Sequence, residues 1–484
     1  MSCDEITEHS SFELTISRIS NWLPQKVVDQ IKNKGSLTPV EIIRLLSILP
    51  AEAYINFSDI PKRSLVFPKD HNMHFLQSQE WFYLALNLTS VDNDKIRIGA
   101  LSSIVRRSIN PYEVSALFSP ANNNEVFRSS FSITTTQKHW YFSDTGGYLS
   151  ALPEDGAYTP GTSYSLPSLT WGSPSKIGLQ PQQNQTMKWV IEDSATKAKL
   201  DLTLTCKAPI LLQGPNIDGI FTLANTGVNY MYYSFPHLEV TGTVTLPATA
   251  TQKTPPSYNV QGDGWLDHQG GVIKPLSGIL AYLEQWKVLL GSQSHRLAWI
   301  WVQAQFPNAQ TFITGASICP QPKNIKIGDV LFWFGTVMTN GKSVFYDKGQ
   351  LTVKNMFKSP DLDVSYVIEL EVKVSDSISF TSISIFPDQR VYPADQGEIY
   401  EGAADTLLNG KTKGYGYIEN MAFSSYEELV KQQYSKLGLS GLPIPAQSKL
   451  IIGPVITITI LLIAIIALTV YFFYIKKKLV HKKK

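Results

Sequence analysis

The run YVIELEVKV, residues 366–374, decides the fold. Ile368, Leu370, Val372 and Val374 occupy every second position, with Glu369, Glu371 and Lys373 between them. A two-residue period puts these sets on opposite faces of a β-strand, one packed and one wet. KLDLTLTC (199–206) and LAWIWVQAQ (297–305) alternate in the same way. Asn340-Gly341 lies between two apolar runs and marks a tight hairpin. Little helical periodicity interrupts residues 66–423. That argues against a doubly wound α/β fold and points to long antiparallel sheets, closed or packed in pairs. A stretch rich in Pro, Thr, Ala and Gln over 247–262 reads as a linker. We therefore expect a mainly β chain with one domain at 66–246, a linker at 247–257 and a second domain at 258–423.

The flanks carry the helical period. In residues 1–65, Thr38, Pro39 and Glu41 form a capping box with proline at the first helical position. Ile42, Ile43, Leu45, Leu46 and Leu49 supply an apolar stripe that Pro50 stops. Residues 424–449 read as a juxtamembrane helix and stalk, capped by Ser425 and Glu428 and broken by Gly438, Gly441, Pro443 and Pro445. From Leu450 to Ile475 there is no charged residue. A helix of that length spans roughly 37 Å, enough for a ~30 Å hydrocarbon core. Tyr471 to Tyr474 form an aromatic belt at one interface. We expect a single-pass membrane protein with a C-terminal transmembrane anchor at 450–475, contacting the lipid bilayer there, and a basic tail at 476–484. Two arguments about orientation conflict. The lysine-rich tail favours a cytosolic C-terminus. The N-terminus, interrupted by Asp4, Glu5, Glu8 and Glu13, offers no signal peptide and so favours a tail-anchored protein with a cytosolic body. The sequons at Asn56, Asn87 and Asn184 do not separate the two.

Among 484 residues, 43% are hydrophobic and 17% charged, which excludes a disordered chain. The net charge of +2 is the sum of unlike parts. The last nine residues hold six lysines, and without them 36 basic residues face 40 acidic ones, leaving the body at −4. Such a balance argues against nucleic-acid binding. Cys3, Cys206 and Cys319 are too scattered for a disulfide framework or metal cluster. No phosphate loop, dinucleotide fingerprint or zinc spacing appears, so no cofactor is expected.

Four ordered motifs resemble one family. Residues 67–83, FPKDHNMHFLQSQEWFY, hold Phe67, Pro68, Asp70, His74, Glu80, Trp81 and Tyr83. PILLQG at 209–214 precedes NYMYYSFPHLEVTG at 229–242. GDGWLDHQGG follows at 262–271, and then Tyr400-Glu401-Gly402-Ala403 with Gly414 to Glu419. Together they are similar to the carotenoid hydratase and AttH-like group of lipocalin-like proteins, which includes kievitone hydratase. The chain departs from that pattern at Phe82, Gly270 and Asn420-Met421-Ala422. The resemblance implies two lipocalin-like antiparallel β-barrel or sandwich domains around an apolar cavity. It also implies a hydrophobic ligand, isoprenoid, polyene or polyketide-like.

Hydrating an isolated alkene needs a strong acid to protonate carbon and water to capture the cation. A carboxyl in an apolar pocket stays protonated near neutrality, and aromatic faces stabilise a cation. Asp267 beside Trp265 suits both needs, because residues i and i+2 of a strand share a face. His268 is then expected on the opposite face. His237 and Glu239 share a face and are the next candidates for placing water. Trp81, Tyr83, His74, Glu80 and Glu419 complete the candidate ligand-binding set. Plain structural alternatives stand beside these roles: a turn at Asp267-His268, a sheet histidine at 237, a buried His74–Glu80 pair, and backbone capping by Glu401 and Glu419. The functional expectation is cofactor-free hydration of a hydrophobic small molecule by a hydro-lyase. A non-catalytic lipid carrier and a pericyclic cyclase are the alternatives. Protein partners and oligomeric state are not legible.

Overall fold

The computed structural model describes residues 23–35, 41, 65, 67 and 70. It then describes 79–421, apart from 94–95, 109–124, 148–175, 183–185, 194, 224–227, 249–253, 274–297, 320–324, 362–363 and 394–397, and finally 434–436 and 438. Helix α1 (Gln25–Lys34) buries Val27, Val28 and Ile31 and ends at Gly35 in the left-handed region.

The first sheet contains β1 (Gln79–Ser90), β2 (Arg97–Ser108), β3 (Glu125–Thr135), β4 (His139–Gly147), β5 (Lys176–Gln182) and β6 (Thr186–Glu192). It continues with β7 (Lys199–Cys206), β8 (Leu211–Leu212), β9 (Ile220–Leu223), β10 (Val228–Thr245) and β11 (Ser257–Ile273). Its order is β4-β3-β2-β1-β11-β10-β7-β6-β5, with β8 and β9 also on β10.

The second sheet holds β12 (Ala298–Phe306), β13 (Thr311–Cys319), β14 (Val330–Thr339), β15 (Lys342–Lys358) and β16 (Ser365–Lys373). Then come β17 (Ser379–Ser384), β18 (Arg390–Val391), β19 (Ile399–Leu408) and β20 (Thr412–Met421). Pairing of β17 with β19 closes eight of these strands into a barrel, while the first sheet curls as a half-barrel. The chain is mainly β, as its alternation predicts.

Alternation fills both inner faces. Phe82, Leu84, Leu86, Leu200, Leu202, Leu204 and Trp189 belong to one continuous apolar cluster in the first unit. Ile300, Val302, Ala304, Leu370, Val372 and Ile418 belong to another in the second. Each fully buried aliphatic or aromatic side chain contributes about 1.5–3 kcal/mol. Trp333 fits inside the barrel because glycines face it. A Cβ on Gly315, Gly335 or Gly349 would lie 2.3, 2.6 or 2.5 Å from its ring. The Asn340-Gly341 turn has φ of 50° and 73°, the left-handed pair a two-residue hairpin requires.

The two units meet by their outward faces. Tyr83, Ala85 and Leu101 of the first sheet pack with Trp301, Ala403 and Tyr417 of the second. Gln305 Nε2 donates across the seam to the carbonyls of Pro236 (2.9 Å) and Gly264 (2.8 Å). Asn87 is buried there and donates to Gly416 O at 3.1 Å, so its sequon is closed to a glycan.

Two expectations change, and the membrane anchor is not tested. Strand β11 pairs with β1 and β10 and belongs to the first sheet, so the break does not fall at 247–257. The Pro- and Thr-rich stretch is the connection of a long hairpin, whose composition resembles that of a linker. Within YVIELEVKV, Leu370 and Val372 point into the barrel, whereas Ile368 packs outside with Tyr366 and Tyr400. The β15–β16 ladder pairs Val353 with Leu370, Asn355 with Glu369 and Met356 with Val367, so Ile368 falls out of register as an extra residue of β16 and resets the phase, which an unbroken alternation in the sequence does not display. Among the described residues no helix is long and apolar enough to cross a membrane. The expected anchor at 450–475, the basic tail and the stripe at 42–49 all lie outside the described residues. Of the expected juxtamembrane helix, residues 434–436 are described as helical.

Candidate functional site

Strand β11 sends successive side chains to opposite sides. Leu266 joins the inner cluster, while Trp265 packs outward with Phe312 and Met338 of the second unit. Asp267 follows Trp265 into the seam and is buried. Ser234 donates to its Oδ1 at 2.5 Å, Trp265 Nε1 to the same oxygen at 2.6 Å, and Tyr232 to Oδ2 at 2.8 Å. Trp301 of the second unit donates to Tyr232 Oη at 3.1 Å, tying the acid to both sheets. Burial raises the Asp267 carboxyl to about 7 and outweighs the donors, which pull it down.

Two more carboxyls share this seam. Glu401 and Glu419 face each other across β19 and β20. Tyr83 donates to Glu401 Oε2 at 2.5 Å, and Trp299 donates to Glu419. Burial raises Glu419 to about 7, against the Trp299 bond and with help from the Asp267 charge. Burial, followed by repulsion from Glu419, pushes Glu401 well above the carboxylate range. Tyr83 also meets the rings of Trp301 and Tyr417 edge-on, with centroids 5.5 and 6.2 Å away. Three carboxyls biased toward their neutral forms thus stand in an aromatic enclosure.

His268 lies on the other side of β11, as its position predicts. Its ring stacks on Phe82 at 4.0 Å. Tyr233 Oη and Glu80 Oε1 flank its nitrogens at 2.8 and 2.7 Å, and Arg106 lies 3.5 Å from Glu80 Oε2. All four polar side chains are fully buried in the first unit. The geometry is that of a buried charge network, which holds β1, β2, β10 and β11 together.

His237 and Glu239 are not beside Asp267. A register shift between Phe235 and Leu238 carries Pro236 and His237 out of the ladder, where a residue without N–H is tolerated. There His237 Nε2 is 2.9 Å from Asp263 Oδ1, and its ring stacks on Phe312. Glu239 is ion-paired with Lys207 and is 57% exposed. Both line a cavity of about 610 Å³ between the units, with Gln261, Gln310, Phe312 and Met338. Trp81 packs edge-on against Tyr230, near the seam cluster. His74 lies outside the described residues. No group of three or more His, Cys, Asp and Glu among the described residues is placed to hold a metal ion.

Sequence reasoning missed Tyr232, Ser234, Trp299 and Trp301, and treated Glu401 as a cap. The available signal was the outward set of LAWIWVQAQ. Trp299, Trp301, Gln303 and Gln305 are too aromatic and amide-rich for a wetted wall.

Residues 59–273, which include the whole first sheet, match the family model described as AttH-like. Among solved structures, an AttH-like protein from Nitrosomonas europaea aligns with a TM-score of 0.54 at 16% identity. That alignment covers 75% of this chain and 97% of that one. Kievitone hydratase from Nectria haematococca aligns with a TM-score of 0.48 at 13% identity, over 77% of this chain and 98% of its own. No curated protein matches the sequence.

Proposed function

We propose, taking residues 59–273 as the AttH-like domain they match, that this chain is a cofactor-free hydratase of a carbon–carbon double bond in a hydrophobic small molecule. One observation carries the reading. Asp267 is buried among Trp265, Tyr232 and Trp301, and its carboxyl is raised to about 7 beside a second carboxyl raised as far. Two coupled acids of that kind divide into a proton donor and a proton acceptor at neutral pH. Asp267 gives its proton to one alkene carbon, and the π pair forms the new C–H bond. The neighbouring carbon becomes a cation, which the faces of Trp265, Trp301 and Tyr83 stabilise. Water adds through oxygen, and its surplus proton passes to the Glu419 carboxylate. The balance is addition of one water.

In this reading His268 and Glu80 hold the first unit in shape, and His237 and Glu239 belong to the neighbouring cavity rather than to the proton transfer. An isoprenoid or polyene ligand suits the aromatic enclosure. Anchoring through residues 450–475 would bring the site to a substrate dissolved in lipid. The test is to incubate the protein with acyclic polyenes in H₂¹⁸O and follow the mass. Label enters with wild type and is lost with Asp267→Asn. Intact turnover in that variant overturns the acid role, and binding without turnover in wild type indicates a carrier.

A further inference from the structure

Gln303 of β12 is fully buried in the seam. Its neighbours on the same face reach the first sheet: Trp301 bonds Tyr232, and Gln305 bonds two carbonyls near the bulge. Yet among the described residues no group bonds either Nε2 or Oε1 of Gln303. An unbonded buried amide is costly, and native structures rarely retain one without a partner. The chain replaces it with no apolar residue, although the same strand supplies isoleucine, valine and alanine freely on its inner face.

The amide's place suggests its partner. Its two cross-strand neighbours are Thr314 and Tyr417. Thr314 stands beside Tyr232, which donates to Asp267. Tyr417 donates to the Glu401 carbonyl at 3.2 Å, on the strand pair that holds both glutamates. Gln303 therefore lies between the Asp267 branch and the glutamate pair. Two further buried oxygens of the seam, Asn87 Oδ1 and Gln305 Oε1, also lack a partner among the described residues. A primary amide donates and accepts at once, which matches a water molecule or a hydroxyl and not a hydrocarbon.

We propose that Gln303 seats the water that is added to the double bond, holding it between Asp267 and the Glu401–Glu419 pair. This rests on the hydration reading above. In the reaction, the oxygen held at Gln303 forms the C–O bond after Asp267 has protonated carbon, and its proton leaves to Glu419. Gln303 itself exchanges no proton.

A crystal structure of the full chain and of Gln303→Leu tests the seat without any substrate. The expected result is an ordered water within hydrogen-bond distance of both amide atoms, gone in the variant. A dry amide, or one bonded to protein groups, overturns the proposal. Kinetics with lycopene in D₂O separate the steps. Gln303→Leu is expected to keep deuterium exchange into the alkene at the wild-type rate while hydration falls about 100-fold. Gln303→Asn, which keeps both amide atoms, restores part of it. Unchanged hydration, or equal loss of exchange and hydration, overturns the role. If Asp267→Asn keeps exchange, the acid reading fails instead, and the water density still decides for Gln303. A substrate hydroxyl rather than water at the amide would appear as density only in the lycopene-alcohol complex, and would also overturn it.

Discussion

Asparagine at position 267 copies the protonated acid almost atom for atom. Its Oδ1 can accept from Ser234 and Trp265 as the carboxyl does, and its Nδ2 can donate to Tyr232 Oη. The substitution removes the option of a buried charge and little else. In the native state the proton stays on Asp267 up to about 7, whereas an ordinary aspartate releases it near 3.8. The folded state thus binds this proton more tightly than the unfolded one. The stability it contributes is complete below about pH 4 and is lost as pH rises through about 7. Three pH units at 1.36 kcal/mol each give about 4 kcal/mol. Urea unfolding followed by tryptophan fluorescence at pH 4.5 and pH 8.5 measures the difference. Only about 2.5 of those pH units fall above pH 4.5, so wild type should lose about 3 kcal/mol more than Asp267→Asn over that interval. The two proteins should be near equal in acid and the variant more stable in base. Parallel pH curves, or a variant less stable at pH 8.5, would refute the claim that burial dominates the donors around Asp267.

Two other perturbations probe the frame. His268→Ala leaves Glu80 and Arg106 buried with one partner gone, a defect of about 3–5 kcal/mol. We expect insoluble or unfolded protein, and a soluble variant with unchanged melting temperature would deny that network its structural role. Gly99→Ala would set a Cβ 2.3 Å from Ala403 Cβ, on the face where the two units meet. Overpacking of about 1–3 kcal/mol should follow, with the far-ultraviolet circular dichroism retained and the seam aromatics altered in the near-ultraviolet. Unchanged near-ultraviolet signals would show that the units do not meet there.

The strands were legible because a period of two survives in a single sequence, as KLDLTLTC shows by coinciding with β7 from end to end. The placement of Asp267 and His268 on opposite faces followed from the same period. What was lost needed information about a second strand. Ile368 changed face because it is the residue left unpaired where the β15–β16 register shifts, and His237 left Asp267 because Pro236 and His237 bulge from the β10–β11 ladder. The seam was illegible for a different reason. An outward-facing set such as Trp299, Trp301, Gln303 and Gln305 is assigned to solvent by default, and only contacts between residues more than 60 positions apart reveal the face that covers it.

That seam also sets the raised carboxyls apart from both barrel interiors. The inner faces of both units are occupied by apolar clusters that include Trp189 and Trp333. The carboxyl buried on the inner side of the first unit, Glu80, is held by His268 and Arg106 in a structural network. The outward faces supply tyrosine and tryptophan donors, which stabilise a carboxyl without neutralising it. Burying them against each other desolvates Asp267, Glu401 and Glu419 together. The acidity of the site is therefore a property of the junction. A change that opens the seam should lower all three carboxyls toward their ordinary range at once, while a change confined to either apolar interior should leave them where they are.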